Sequence, residues 1–249
     1  MNTFNKIIKL IKTSKKTIVL TGAGISTESG LPDFRSKDGF WTKNKPIQFQ
    51  DYLDNEEQQR LSWSRNIELH EILKKIRPNI GHTFVEKIVN LNNKENFLIT
   101  QNIDGLHQRS GVSEDKIIEI HGNAIDARCL NCGETADILD FHAAIKANNP
   151  LPKCINCNGI VKVATISFGQ PMNESDMLKA SKISSECELM IVMGSSLSVM
   201  PAGQIPNLAI KSGAKLVILN REETIYDAMA DIVINDELEI ICGELIKLI

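Results

Sequence analysis

Short, almost unbroken apolar runs recur along this chain, separated by longer stretches in which polar and apolar residues mix. The runs are TIVL at 17–20, FLI at 97–99, IIEI at 117–120, LMIVM at 189–193, LVIL at 216–219 and IVI at 232–234. They are rich in β-branched residues and lack the alternation of a half-exposed strand, as expected where both faces of a parallel sheet are covered. Residues 171–184 and 201–212 leave room for crossover helices between such strands. The alternation predicts an α/β fold, a doubly wound, Rossmann-like parallel sheet. Ahead of the first strand, Phe4, Ile7, Ile8 and Ile11 recur at helical spacing within MNTFNKIIKLIKTSKK. That pattern predicts an amphipathic helix packed on the body. Its interrupting lysines, with no small-residue cleavage site after them, speak against a secretory leader.

Two regions break the pattern. Residues 127–163 hold few long apolar runs, several Asn, Pro and Gly residues, and four of the six cysteines. They read as a small inserted module, leaving residues 1–126 and 164–249 to build the larger domain. Residues 36–60 are polar and irregular, with Trp41, Phe49 and Tyr52 scattered through them, as in a mobile active-site cover.

Composition narrows the function. In 249 residues, 42% are hydrophobic, and 28 basic against 31 acidic residues give a formal net charge of −3. A core of ordinary size is therefore available, and the basic excess of a dedicated nucleic-acid binder is absent. No apolar run approaches the ~20 residues of a bilayer span, and the expected location is cytoplasmic. In that setting paired cysteines point to metal before disulfides. Cys129-x-x-Cys132 and Cys154-x-x-Cys157, with 21 residues between the pairs, match a zinc ribbon. Four thiolates close a tetrahedral site and make the ion structural.

The strand ends carry the remaining chemistry. After the first strand comes Gly22-Ala23-Gly24-Ile25-Ser26-Thr27. A Gly-x-Gly turn of this kind allows close approach to a pyrophosphate, although Thr27 stands where the usual fingerprint has its third glycine. Gly194, Ser195 and Ser196 follow another buried strand and suit the same phosphates or a ribose. Asn220-Arg221-Glu222 follows the next, where polar groups commonly hold an adenosine ribose. The densest cluster is TQNIDGLH at 100–107, with Gln101, Asn102, Ile103 and Asp104 directly behind a buried strand. His121, before Gly122, closes a further strand and is the candidate general base.

Taken together these motifs resemble the sirtuins, NAD-dependent protein lysine deacylases, over nearly the whole chain as a single catalytic core of bacterial type. Gly30-Leu31-Pro32-Asp33-Phe34-Arg35-Ser36 resembles the family's cofactor loop, and Thr100 to His107 its most diagnostic run. The resemblance implies that NAD is held by Gly22, Ala23, Gly24, Ser26, Thr27, Asp33, Phe34, Arg35, Gln101, Asn102, Ile103, Asp104, His121, Gly194, Ser195, Ser196, Asn220 and Glu222. Asn102, Asp104 and His121 would serve catalysis, with His121 as base for a ribose hydroxyl. Zinc would sit on Cys129, Cys132, Cys154 and Cys157. An acylated lysine peptide would pair with Ile166, Phe168 and Gly169 by strand addition. Products would be free lysine, nicotinamide and acyl-ADP-ribose. No membrane and no direct nucleic-acid partner are expected.

The chain departs from the family on the substrate side. Val163 replaces the proline that usually follows the basic residue after the last cysteine, and Gln170 replaces the glutamate after Phe168-Gly169. Members that remove acidic acyl groups place a tyrosine and an arginine where, counting back from His82, this chain has Asn66 and Leu69. An uncharged acyl group, acetyl above all, is therefore expected, since an unpaired buried carboxylate is costly. Two other readings use the same residues. One is an NAD glycohydrolase or mono-ADP-ribosyltransferase sharing the cofactor site. The other is a non-enzymatic binding module around the ribbon, which calls for a basic face near Lys146, Lys153 and Lys162.

Overall fold

All six expected strands form and lie side by side in one parallel sheet. The computed structural model describes residues 2–32, 45–147 and 150–249. Helix α1 (Thr3–Thr13) buries Ile7, Ile8 and Ile11, and Asn2 caps it by accepting the Phe4 N–H. Strand β1 (Thr17–Thr21) follows, then helices α2 (Phe49–Asp54), α3 (Glu56–Leu73) and α4 (Ile80–Val89). Next come β2 (Phe97–Thr100), the short α5 (Leu106–Arg109), and β3 (Ile117–Glu119). A second unit is built from β4 (Gly122–Cys129), β5 (Thr135–Asp137), α6 (Leu139–Lys146) and β6 (Val161–Thr165). The chain then returns through α7 (Glu174–Ser185), β7 (Leu189–Met193), α8 (Ile205–Lys211), β8 (Lys215–Leu219), β9 (Ile232–Ile234) and α9 (Leu238–Ile246).

The large sheet has the order β3-β2-β1-β7-β8-β9. Each strand run is continuous in apolar character because its two sets of side chains enter two different cores. Val19, Leu98, Ile191 and Val217 pack toward α1, α4 and α9. Ile18, Leu20, Ile99, Val192 and Ile218 pack on the opposite face with residues of α7 and α8. Register is the feature that matters for function. Glu119 pairs with Thr100, Thr100 with Thr21, Thr21 with Met193, Met193 with Leu219, and Leu219 with Ile234. All six strands therefore end in one row, and the polar segments behind them emerge along one edge. Strand order reverses between β1 and β7, the place where open α/β sheets bind ligands.

The second unit is a three-stranded antiparallel sheet, β5-β4-β6. Its core contains Ala127, Cys129, Ile138, Cys154, Val161 and Val163, and also Trp63 from α3. The Trp63 ring lies 5.6 Å from that of Phe141, and Tyr52 donates its hydroxyl to the Val161 carbonyl at 3.1 Å. This burial explains one departure from the sequence expectation. Residues 49–60, read as irregular, form α2 and the start of α3. The break between them is made by Asn55, whose side chain accepts the N–H groups of Glu57 and Gln58. Trp41 lies outside the described residues.

Lys162 is also not where a basic face would need it. It is 1% exposed, with Nζ donating to the carbonyls of Thr165 (2.5 Å) and Val163 (3.3 Å) and lying 5.7 Å from the Tyr52 ring centroid. Burial pushes its ammonium down to about 7. The unfolded chain, with an ordinary lysine value near ~10.4, binds more protons than the native chain between those two values, so stability rises across that window. Lys162→Met is therefore expected to raise the thermal midpoint most at or below pH 7, with the gain shrinking toward pH 10. Thermal scans of both proteins across that range are the check. A gain that grows with pH would contradict this burial account.

Candidate active site

At the switch point two glycine turns cross in contact. The Gly24 N–H donates to Gly194 O at 2.8 Å, and the Gly22 N–H to Met193 O at 3.1 Å. A Cβ on Gly24 would stand 2.9 Å from the Gly194 Cα, and one on Gly194 would stand 2.4 Å from the Ile25 nitrogen. Gly194 also has φ +62°. The small residues are thus needed for backbone to meet backbone. The amides of Gly22 and Gly24 are engaged in the crossing, so these glycines shape the floor of a cleft more than they donate into it. Residues 23–29 continue as a 3₁₀ turn.

The cleft has a volume of about 230 Å³ and is walled by Gly22, Ala23, Gly24 and Thr27 on one side. Gly194, Ser195, Ser196 and Val199 form the next wall, and Gln101, Asn102 and His121 close one end. Asn220, Arg221, Glu222, Asp236, Glu237 and Leu238 close the other. Of these, the Asp236–Leu238 segment was not anticipated from the sequence. The same strand-end logic applied to β9 points to Asp236. Arg221 makes exposed ion pairs with Glu222 (3.9 Å) and Glu237 (3.6 Å), which contribute little to stability.

Gln101 links three strand ends. Its amide donates to Ser195 Oγ at 2.8 Å, its backbone N–H to Thr21 O at 2.9 Å, and its carbonyl meets His121 Nδ1 at 3.1 Å. A carbonyl can only accept, so Nδ1 carries the hydrogen and Nε2 is the unprotonated nitrogen of the neutral ring. The His121 carbonyl in turn accepts from the Ile166 N–H at 2.8 Å, holding the residue from its backbone side as well.

Ser26 and Asp104 stand behind the cleft wall and orient Asn102. Asp104 Oδ2 accepts from Ser26 Oγ at 2.7 Å, and Oδ1 accepts from the Leu106 N–H at 2.9 Å. Ser26 Oγ then accepts from Asn102 Nδ2 at 3.2 Å. With its NH₂ turned to Ser26, Asn102 must present Oδ1 to the other side. That oxygen is buried and has no hydrogen-bond partner among the described residues, a vacancy suited to a ligand hydroxyl. Burial raises the Asp104 carboxyl above its ordinary range, opposed by the Leu106 N–H and the Ser26 hydroxyl. Thr100 Oγ1 accepts the Asn102 N–H at 3.0 Å and the Thr21 hydroxyl at 2.8 Å, and Thr21 meets His107 Nε2 at 3.0 Å. Burial drives His107 well below the ordinary histidine range and keeps it neutral.

Phe168 is half exposed, and its carbonyl accepts from the Phe49 N–H at 2.8 Å, while Gly169 turns with φ +79°. Asn66 is committed elsewhere: Nδ2 donates to Ala124 O and Oδ1 meets His142 Nε2, both at 2.9 Å. In the second unit the four cysteine sulfurs all lie within 4.8 Å of one another, with Cys129–Cys157 at 3.5 Å and Cys132–Cys154 at 3.6 Å. Those separations approach the roughly 3.8 Å edge of a thiolate tetrahedron with Zn–S near 2.3 Å. No disulfide joins them. The donor set fits one structural zinc.

The sequence profile of the Sir2 family matches residues 22–201, spanning both glycine turns, the Gln101–Asp104 cluster, His121 and all four clustered cysteines. The chain belongs to the Sir2 family. NAD-dependent protein deacetylase 1 of Bradyrhizobium diazoefficiens is 44% identical over 92% of this Sir2 chain and 89% of its own length. NAD-dependent protein deacylase 2 of Archaeoglobus fulgidus is 35% identical over 91% and 88%. A solved Sir2 with p53 peptide and NAD+ has a TM-score of 0.85 at 32% identity, covering 99% of this chain and 98% of that one. Sir2Tm bound to a propionylated peptide gives 0.84 at 31% over the same shares.

Among the residues expected to serve the Sir2 reaction, twelve line the cleft directly: Gly22, Ala23, Gly24, Thr27, Gln101, Asn102, His121, Gly194, Ser195, Ser196, Asn220 and Glu222. Ser26 and Asp104 act from behind it, and the Ile103 carbonyl accepts the Ala124 N–H at 2.9 Å. Asp33, Phe34 and Arg35 lie outside the described residues. Removal of zinc with a strong chelator, or Cys132→Ser, is expected to lower the thermal midpoint and the metal content together. Metal analysis beside a thermal scan checks this. Full stability in a zinc-free protein would contradict a structural ion.

Proposed function

We propose that this chain is an NAD-dependent protein-lysine deacetylase, transferring the acyl group to ADP-ribose and releasing nicotinamide. The observation that carries the reading is the meeting of Asn102 and His121 at one end of the cleft walled by the crossed glycine turns. Bound NAD supplies an electrophilic ribose carbon with nicotinamide as the leaving group. The glycine turns and Ser195 hold the diphosphate side, and Asn220 and Glu222 the far ribose. Asn102 Oδ1, aimed by Ser26 and Asp104, accepts a hydroxyl of the near ribose. His121 Nε2 takes a proton from a hydroxyl there, and Gln101 O stabilises the ring as it gains charge. Ile103 and Asp104 close the nicotinamide end. An acylated lysine enters along Ile166, Phe168 and Gly169 from the edge between the two sheets.

The same reading assigns residues 127–163 to the zinc module and residues 1–126 and 164–249 to the NAD-binding domain. Among the described residues no helix is long and apolar enough to cross a membrane, and the cysteines are free. Both features agree with a cytoplasmic enzyme. Lys162 is buried, so the face near the cysteines has lost one of its three basic residues, against a nucleic-acid role.

Lysine peptides bearing different acyl groups, incubated with NAD and read by mass spectrometry, test the assignment. Acetyl-lysine is expected to turn over well ahead of succinyl-lysine, and equal rates would overturn the preference for uncharged groups. Fast nicotinamide release from NAD alone would instead favour a glycohydrolase. His121→Ala is expected to abolish deacetylation while NAD affinity stays within roughly tenfold, since loss of a base acts on the barrier. Near-full turnover by that variant would remove His121 from the mechanism.

A further inference from the structure

Glu119 ends β3 in the row of strand ends, two residues before His121, and is part-buried. Its carboxylate receives two amides. Gln108 Nε2 donates to Oε1 at 2.8 Å and Asn123 Nδ2 to Oε2 at 3.0 Å. Gln108 lies on α5, whose first N–H, that of Leu106, donates to Asp104 Oδ1. Asn123 lies just past Gly122, where the chain turns with φ +70° and a Cβ would stand 1.9 Å from the Ala164 carbonyl oxygen. Asn123 cannot flip freely. Its Oδ1 accepts the N–H groups of Ile125 (3.2 Å) and Asp126 (2.9 Å), so its NH₂ faces Glu119 and Asp126 Oδ2, each at 3.0 Å.

We propose that Glu119 is a positioning residue, tying the helix that follows Asn102 and Asp104 to the turn that presents His121. The clamp runs from Asp104 through α5 and Gln108 to Glu119, and from there across His121 to Asn123. It sets the distance between the two halves of the reaction centre, and with it the contact of His121 Nδ1 with the Gln101 carbonyl. Asn123 can only donate here, since its Oδ1 is spent on two N–H groups, so its side of the clamp requires an acceptor at residue 119. Burial raises the Glu119 carboxyl, and the two amides oppose that shift. The inference rests on the deacetylase reading for its kinetic consequence but not for its structural one.

The test therefore has a readout in each. With ¹⁵N-histidine in the ligand-free protein, NMR assigns His121 by its loss in His121→Ala and reads its tautomer. The native protein is expected to hold the Nδ1–H form. In Glu119→Leu, which leaves both amides without an acceptor, a mixture of tautomers is expected. Deacetylation kcat is expected to fall by about tenfold or more with KM for NAD little changed, as for a misplaced group. Asn123→Ala cuts the same clamp from the other end, and the double variant is expected to lose no more than the worse single one. Losses that multiply, a lowered thermal midpoint without a change in kcat, or an unaltered tautomer in folded Glu119→Leu would each overturn the proposal. Absence of deacetylation in the native protein would defeat the functional reading alone, with the tautomer still deciding the clamp.

Discussion

The crossing of the two glycine turns is the constraint on which the rest depends. β1 and β7 are neighbours in register, so the segments leaving them collide unless both are stripped of side chains. Gly22, Gly24 and Gly194 allow the backbones to touch, and the Gly24–Gly194 hydrogen bond locks the contact. A cleft opens on the outer side of that contact, at the one place where the sheet order reverses. Gln101 then reaches Ser195 on one side and His121 on the other, so the position of the imidazole is referred back to the same crossing.

Polar groups around this centre are arranged by what each atom can accept or donate. A buried carboxylate fixes a serine hydroxyl, the hydroxyl fixes one end of an asparagine amide, and the opposite end has no partner among the described residues. His121 is treated in the same way, its donor nitrogen spent on a carbonyl. Such networks are stabilising when every member is satisfied and costly when one is not. Here two buried atoms, Asn102 Oδ1 and His107 Nδ1, have no partner among the described residues, and Asn102 is the one of the two residues that lines the cleft.

Much of this was legible in the sequence because parallel strands announce themselves. Six apolar runs gave six strands, and the polar residues behind them gave most of the cleft lining. The cysteine spacing located the metal site without help from the fold. What escaped was tertiary. Tyr52 reads as a scattered aromatic in polar surroundings, yet with Trp63 it joins α2 and α3 to the second unit's core. Lys162 reads as a surface charge until its carbonyl partners and the Tyr52 ring are seen. Asp104 reads as a group that meets ligand, and its bonds from the Ser26 hydroxyl and the Leu106 N–H, which aim Asn102, could not be read from spacing. No periodicity marks such partners, since they come from elements distant in sequence.

The most direct measurement of the central claim is calorimetric titration of NAD into Gly194→Ala beside the native chain. The variant must push the two turns apart, so with zinc content and sheet signal retained its affinity is expected to fall by at least about tenfold, or 1.4 kcal/mol. Native affinity in a folded Gly194→Ala protein would show that the crossing does not shape the cofactor site.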